Sequence, residues 1–169
     1  NCTYCYNKNR SGRVMDTPTI LKLIQDLKRM GVFWVGLTGG EPLLNKDIAA
    51  IVESAADGCA VKLFTTGCTL TRQLAVDLKR AGLYSISVSL DHWEEEFHDR
   101  SRGYTGAYQT ALKAIRIFQE IGGVDVGVSA VLSTVDSTLL GAAGLTTHNL
   151  LVPLLRISGE RGRVVAARA

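Results

Sequence analysis

Apolar positions along the chain change their period again and again. Ile20, Leu21, Ile24 and Leu27 share a helical face behind Asp16-Thr17-Pro18, a capping pattern, and Gly31 closes that segment. The unbroken run at 32–37, VFWVGL, predicts a short buried strand with Phe33 and Trp34 in the core. Asn45 is placed to cap a second helix that carries Ile48, Ile51, Val52 and Ala55 and stops at Gly58. A strand at 60–65 follows, then a helix that starts at Thr69, carries Leu70, Leu74, Leu78 and Ala81, and ends at Gly82. Residues 84–90 read as strand, 108–121 as a long helix with Leu112, Ile115, Phe118 and Ile121 on one face, and 124–132 as strand. A weaker helix at 138–143 and a last strand at 150–155 complete the pattern. Strand and helix alternating at this spacing predict an α/β fold with a parallel sheet, either doubly wound or part of a (β/α) barrel.

Composition narrows the class. The chain has 169 residues, 46% of them hydrophobic, enough for one globular domain over 1–169. Its 19 Lys+Arg and 16 Asp+Glu give a net charge of +3, with the signs interleaved, so no basic arm asks for nucleic acid. No uncharged apolar run of about 18 residues argues for a membrane span and no basic-then-apolar leader is present; the expected location is the cytoplasm. The chain opens on Asn1 instead of a methionine, and is expected to be a piece of a longer protein. In parallel α/β folds chemistry gathers at the carboxyl ends of strands. Polar and glycine-rich residues occupy those places here, at 38–42, 66–67, 91–92 and 133–134.

Of the four cysteines, Cys2 and Cys5 form C-x-x-C, while Cys59 and Cys68 stand apart and read as small buried hydrophobes. Two thiolates three positions apart can face one metal or iron–sulfur cluster, or exchange as a redox pair. The histidines His92, His98 and His148 have no ligand spacing with them, and His92 and His98 read as loop residues.

Residues 1–7, NCTYCYN, together with Thr38-Gly39-Gly40-Glu41-Pro42, resemble the radical S-adenosylmethionine enzyme superfamily. Its signature is C-x-x-x-C-x-aromatic-C, three thiolates that hold three irons of a [4Fe-4S] cluster and leave the fourth open. Cys2 and Cys5 match the second and third cysteines, with Tyr4 at the aromatic position; the first would precede Asn1. Further matches follow in order: Thr66-Gly67, the SVSLD of 87–91, the HDRSRG of 98–103 and the stretch 153–162.

The resemblance implies a partial (β/α)6 TIM-like barrel with its first strand missing. It implies Cys2 and Cys5 as cluster ligands and S-adenosylmethionine as the second cofactor. Gly39, Gly40 and Glu41 would hold the cofactor's methionine moiety, with the Glu41 carboxylate on its ammonium. Tyr4 would pack near adenine or over the cluster. Thr66, Ser87, Ser89 and Asp91 would bond its ribose or carboxylate, and Arg102 and Arg156 would meet a carboxylate. The implied activity is reductive cleavage of S-adenosylmethionine to a 5′-deoxyadenosyl radical, which abstracts hydrogen from a peptide or cofactor-precursor substrate. A flavodoxin or ferredoxin would supply the electron. The competing reading is an inactive α/β fragment that binds a ligand or partner and lacks a complete cluster site.

Overall fold

The computed structural model describes Cys2 and residues 15–130, all within the first of two compact units, 1–131. Four parallel strands, β1 (Trp34–Leu37), β2 (Ala60–Thr65), β3 (Ser85–Ser89) and β4 (Asp125–Ser129), lie side by side in chain order. That order decides between the two architectures. A doubly wound sheet reverses its strand order at a switch point, whereas a barrel wall adds each strand next to the last. The expected partial barrel is therefore what the described residues form. The expected helix at 138–143 and strand at 150–155 lie outside them.

Among the described residues five α-helices form, α1 (Thr17–Arg29), α2 (Ile48–Ala56), α3 (Arg72–Arg80), α4 (Glu95–Arg102) and α5 (Ala107–Ile121). The Asp16 carboxylate caps α1 by accepting from the Thr19 N–H at 2.9 Å. Asn45 does not cap α2 directly: its side chain accepts from the Asp47 N–H at 2.9 Å in the turn before that helix. The third helix begins at Arg72, capped by the Thr71 hydroxyl, because Thr69 sits in the left-handed region at φ 64° and cannot start a right-handed helix.

Side chains alternate across each strand. One face of the sheet carries Val61, Leu63, Ile86 and Val88, all fully buried against Val52, Ala55, Ala75, Leu78, Ile115 and Phe118 of the helices. The other face mixes polar, small and aromatic residues: Lys62, Ser85 and Asp125 align across three strands, as do Phe64, Ser87 and Gly127. Phe33 and Trp34 correct the expectation of a core position. Phe33 is 81% exposed, and Trp34 is exposed with its ring across Gly36 on the polar face of edge strand β1. A continuous apolar run cannot tell which of its members faces helices.

Candidate functional site

The loops after the strands converge at one end of the sheet. After β1, Gly39 adopts φ 152°, a conformation that L side chains rarely take, and Cβ atoms added at Gly39 or Gly40 would meet nothing within 4 Å. This loop presents bare backbone to open space. Glu41 ends it and folds back on its own chain. Oε1 accepts from the Leu43 N–H at 3.1 Å and the Thr65 hydroxyl at 2.5 Å, and Oε2 accepts from the Thr66 N–H at 2.8 Å and its hydroxyl at 2.6 Å. The carboxylate therefore rivets the β1 loop to the end of β2. The Thr65 hydroxyl also accepts from the Gly67 N–H at 2.9 Å, which extends the link into the next turn.

Gly67 has two requirements at once: φ is 81°, and a Cβ there would lie 2.7 Å from that of Ala114. Its absence of side chain lets the β2 loop rest on α5. Cys68, in the same loop, is half-buried, not the buried hydrophobe expected, whereas Cys59 is buried and its thiol donates to the Val32 carbonyl at 3.1 Å.

The third corner lies beyond β3. Ser87 and Ser89 share the polar sheet face, with Ser87 aligned to Gly127 and Ser89 to Ser129. Asp91 follows, and its carboxylate lies along one edge of the Arg102 guanidinium: Nη2 donates to Oδ1 and Nε stands in ion-pair contact with Oδ2, each at 2.7 Å. Both side chains are under 10% exposed, so this is a desolvated, two-point pair. The carboxylate that Arg102 meets in the structure is thus another expected site residue. Its remaining Nη1 donates to the Cys2 Sγ at 3.8 Å. Thr66 with Glu41, and Asp91 with Arg102 and Cys2, are brought into direct contact. Tyr4, Cys5 and Arg156 lie outside the described residues.

Several residues here went unanticipated. His98 is not a loop residue: it is 1% exposed on α4, and its Nδ1 accepts from the Asp91 N–H at 3.1 Å while Tyr108 packs edge-on to the ring. Burial pushes its pKa below the ordinary histidine value, the Asp91 charge pulling the other way. Asp99 reaches from α4 to the start of α5, accepting from the Gly106 and Tyr108 N–H groups at 2.6 and 2.8 Å. Burial works to raise its pKa, but these amide donors outweigh it and hold the carboxyl below its usual value. Tyr104 stands between the β2 and α4 loops, its phenol shifted upward first by burial and then by the charge of Cys68. The signal for α4 was present in Glu95 and Glu96 at its start and Arg100 and Arg102 at its end, signs that suit the helix dipole.

Among the described residues no three His, Cys, Asp or Glu side chains gather as a metal site. Cys2 fits one corner of an iron–sulfur cluster, since its thiol stands at the strand ends beside a hydrogen-bond donor. The Gly39-Gly40 backbone fits the close approach of a small zwitterionic ligand. No described helix is long and apolar enough to cross a membrane.

Comparison with known proteins places the chain among relatives of one family. Over 135 residues the chain is 33% identical to the PqqA peptide cyclase of Bradyrhizobium diazoefficiens, covering 78% of this chain and 35% of that protein. It is 30% identical over 135 residues to the mycofactocin maturase MftC of Mycolicibacterium smegmatis, covering 78% and 34%. The chain thus spans about a third of the length of these curated relatives. The crystal structure of Streptococcus suis SuiB bound to precursor peptide SuiA superposes with a TM-score of 0.68 over 88% of this chain and 34% of that one, at 18% identity, a likeness of fold. The model of the radical SAM superfamily matches residues 1–136, and the chain belongs to that superfamily.

Proposed function

We propose that this chain is the cofactor-cradling part of a radical SAM core whose parent protein acts on a peptide or cofactor precursor, and that the 169 residues alone bind ligand without turning over. The observation that supports the cradle is the junction of the Gly39-Gly40 loop, the Glu41 rivet and the Asp91–Arg102–Cys2 contact at one end of a parallel sheet. The second half, a binding unit without a complete cluster site, is the better supported. Cys2 is the one thiol at that Arg102 contact among the described residues, and no set of three ligands gathers.

When bound, a [4Fe-4S] cluster would supply the electron that cleaves S-adenosylmethionine to a 5′-deoxyadenosyl radical. Cys2 would hold it, together with Cys5. The chain's own contribution is positional. Glu41 spends both carboxylate oxygens on Leu43, Thr65 and Thr66, so it shapes the glycine loop, whose backbone would meet the ligand's ammonium. Ser89 and Thr66, at the ends of neighbouring strands, offer hydroxyls to the ribose, and Ser87 lies deeper on the same face as Ser89. A peptide substrate agrees with the names of the relatives, and the parent protein would work in the cytoplasm with a flavodoxin- or ferredoxin-type donor.

Calorimetric titration of the chain with S-adenosylmethionine, before and after anaerobic iron and sulfide reconstitution, tests the reading. Saturable binding with no release of 5′-deoxyadenosine under dithionite is expected. Absence of binding by the folded chain in both states overturns the cradle, and catalytic release of 5′-deoxyadenosine overturns the binding-only half.

A further inference from the structure

We propose that Arg102 is a positioning residue for Cys2: clamped by Asp91, its guanidinium fixes the thiol at the Cys2 corner of the cluster site. The inference rests on the cluster reading above and names a residue that acts through another. A guanidinium is a flat fork with donors on separate edges. Asp91 occupies the edge formed by Nε and Nη2, which leaves Nη1 directed at Sγ, 3.8 Å away, across 100 positions of sequence.

Asp91 is itself held from three sides. Arg102 takes both its oxygens, the Ser101 hydroxyl, which donates to the His98 carbonyl at 2.8 Å, lies 3.3 Å from Oδ2, and the Asp91 N–H is tied to buried His98. The row from His98 through Asp91 and Arg102 to Cys2 is therefore a strut from the core to the Cys2 thiol. Because the arginine's charge is balanced by Asp91, what reaches the sulfur is an oriented N–H. Donors to cluster sulfurs favour the reduced cluster and raise its potential. A lysine, whose three donors radiate from one nitrogen on a flexible stem, cannot hold carboxylate and sulfur in this geometry together.

Two measurements on the 169-residue chain and its Arg102→Lys variant test this. In the first, alkylation of Cys2 by iodoacetamide is followed by peptide mass spectrometry at pH 9.5, where the rate reads access, with Cys68 as internal reference. Loss of the strut is expected to raise the Cys2 rate about fivefold and leave Cys68 unchanged. In the second, the chain is reconstituted anaerobically and its cluster potential titrated by electron paramagnetic resonance. The variant is expected to shift negative by about 59 mV, tenfold in a one-electron equilibrium.

If Arg102→Lys loses its circular dichroism signature, the pair Asp91→Asn with Arg102→Gln replaces it, since both charges are then removed together. Unchanged Cys2 alkylation in a folded variant overturns the strut, as does an unchanged midpoint where a cluster forms. If the wild-type chain holds no cluster while Cys2 alkylation still responds to Arg102, the effect on cluster potential is overturned for this chain, in line with its incomplete cluster site, and the positioning role stands.

Discussion

Replacing Glu41 separates a structural rivet from a ligand-binding carboxylate. Its oxygens accept four hydrogen bonds, from the Leu43 and Thr66 N–H groups and the Thr65 and Thr66 hydroxyls. Hydrogen bonds to an ionised acceptor contribute roughly 1.5–3 kcal/mol each. Glu41 and Thr66 are half-buried, so water can reach the two Thr66 donors once the carboxylate is gone; Leu43 and Thr65 are 6% and 3% exposed and are the partners least able to recover. Two bonds lost in full and two largely regained give a cost of about 3 kcal/mol for Glu41→Ala. Glu41→Gln keeps the length but puts an amide NH2 against donors on one side, so about 2 kcal/mol is expected. Urea unfolding followed by circular dichroism measures both. With a slope of roughly 1–3 kcal/mol per molar, the midpoint should fall by about 1–3 M for Ala, the slope unchanged. A Glu41→Ala variant as stable as the parent, with weakened affinity for S-adenosylmethionine, would refute the reasoning and return the carboxylate to the ligand's ammonium.

Three other outcomes are expected. Gly67→Ala should cost roughly 2–4 kcal/mol in the same assay, since its Cβ would meet Ala114 at 2.7 Å and its φ is 81°. Stability should fall on acidification from about pH 6.5, because the unfolded chain protonates His98 near its ordinary value while the buried ring, its pKa lowered, resists. The decline ends below the folded pKa, and it should flatten in His98→Gln, which keeps a side-chain acceptor without a titrating ring; a slope that persists there assigns it to other groups. Asp99→Ala should cost about 1 kcal/mol and speed amide exchange in the first turn of α5, whose Gly106 and Tyr108 N–H groups lose their acceptor.

The strands and the long helix α5 were legible because they are buried on one face and their apolar period is strong. Helix α4 was not. Its only buried members are His98 and Arg102, both polar, so no hydrophobic stripe marks it, and its charge order alone had to carry the signal. Within the site, Gly39, Gly40 and Glu41 could be read as a loop at a strand end, but not that Glu41 turns inward to Thr65 and Thr66. Such a contact joins residues 24 and 25 positions apart and depends on the strand register. Asp91 and Arg102 were each foreseen as partners for a cofactor; that they partner one another follows from α4 folding back along the end of β3, which local pattern does not encode. Trp34 was misplaced because β1 is too short and too apolar for alternation to show which side faces the helices.

That exposed tryptophan bears on how the isolated chain behaves in the test tube. Among the described residues β1 pairs only with β2, and Phe33 and Trp34 stand exposed beside that strand. Such an edge, with aromatic surface alongside, invites a strand from any neighbour, including a second copy. Concentration-dependent self-association is thus a hazard in every binding and unfolding experiment above. A lysine at position 34 would place a charge on that edge without touching the helical core, and is the form of the chain best suited to dilute, monomeric measurements.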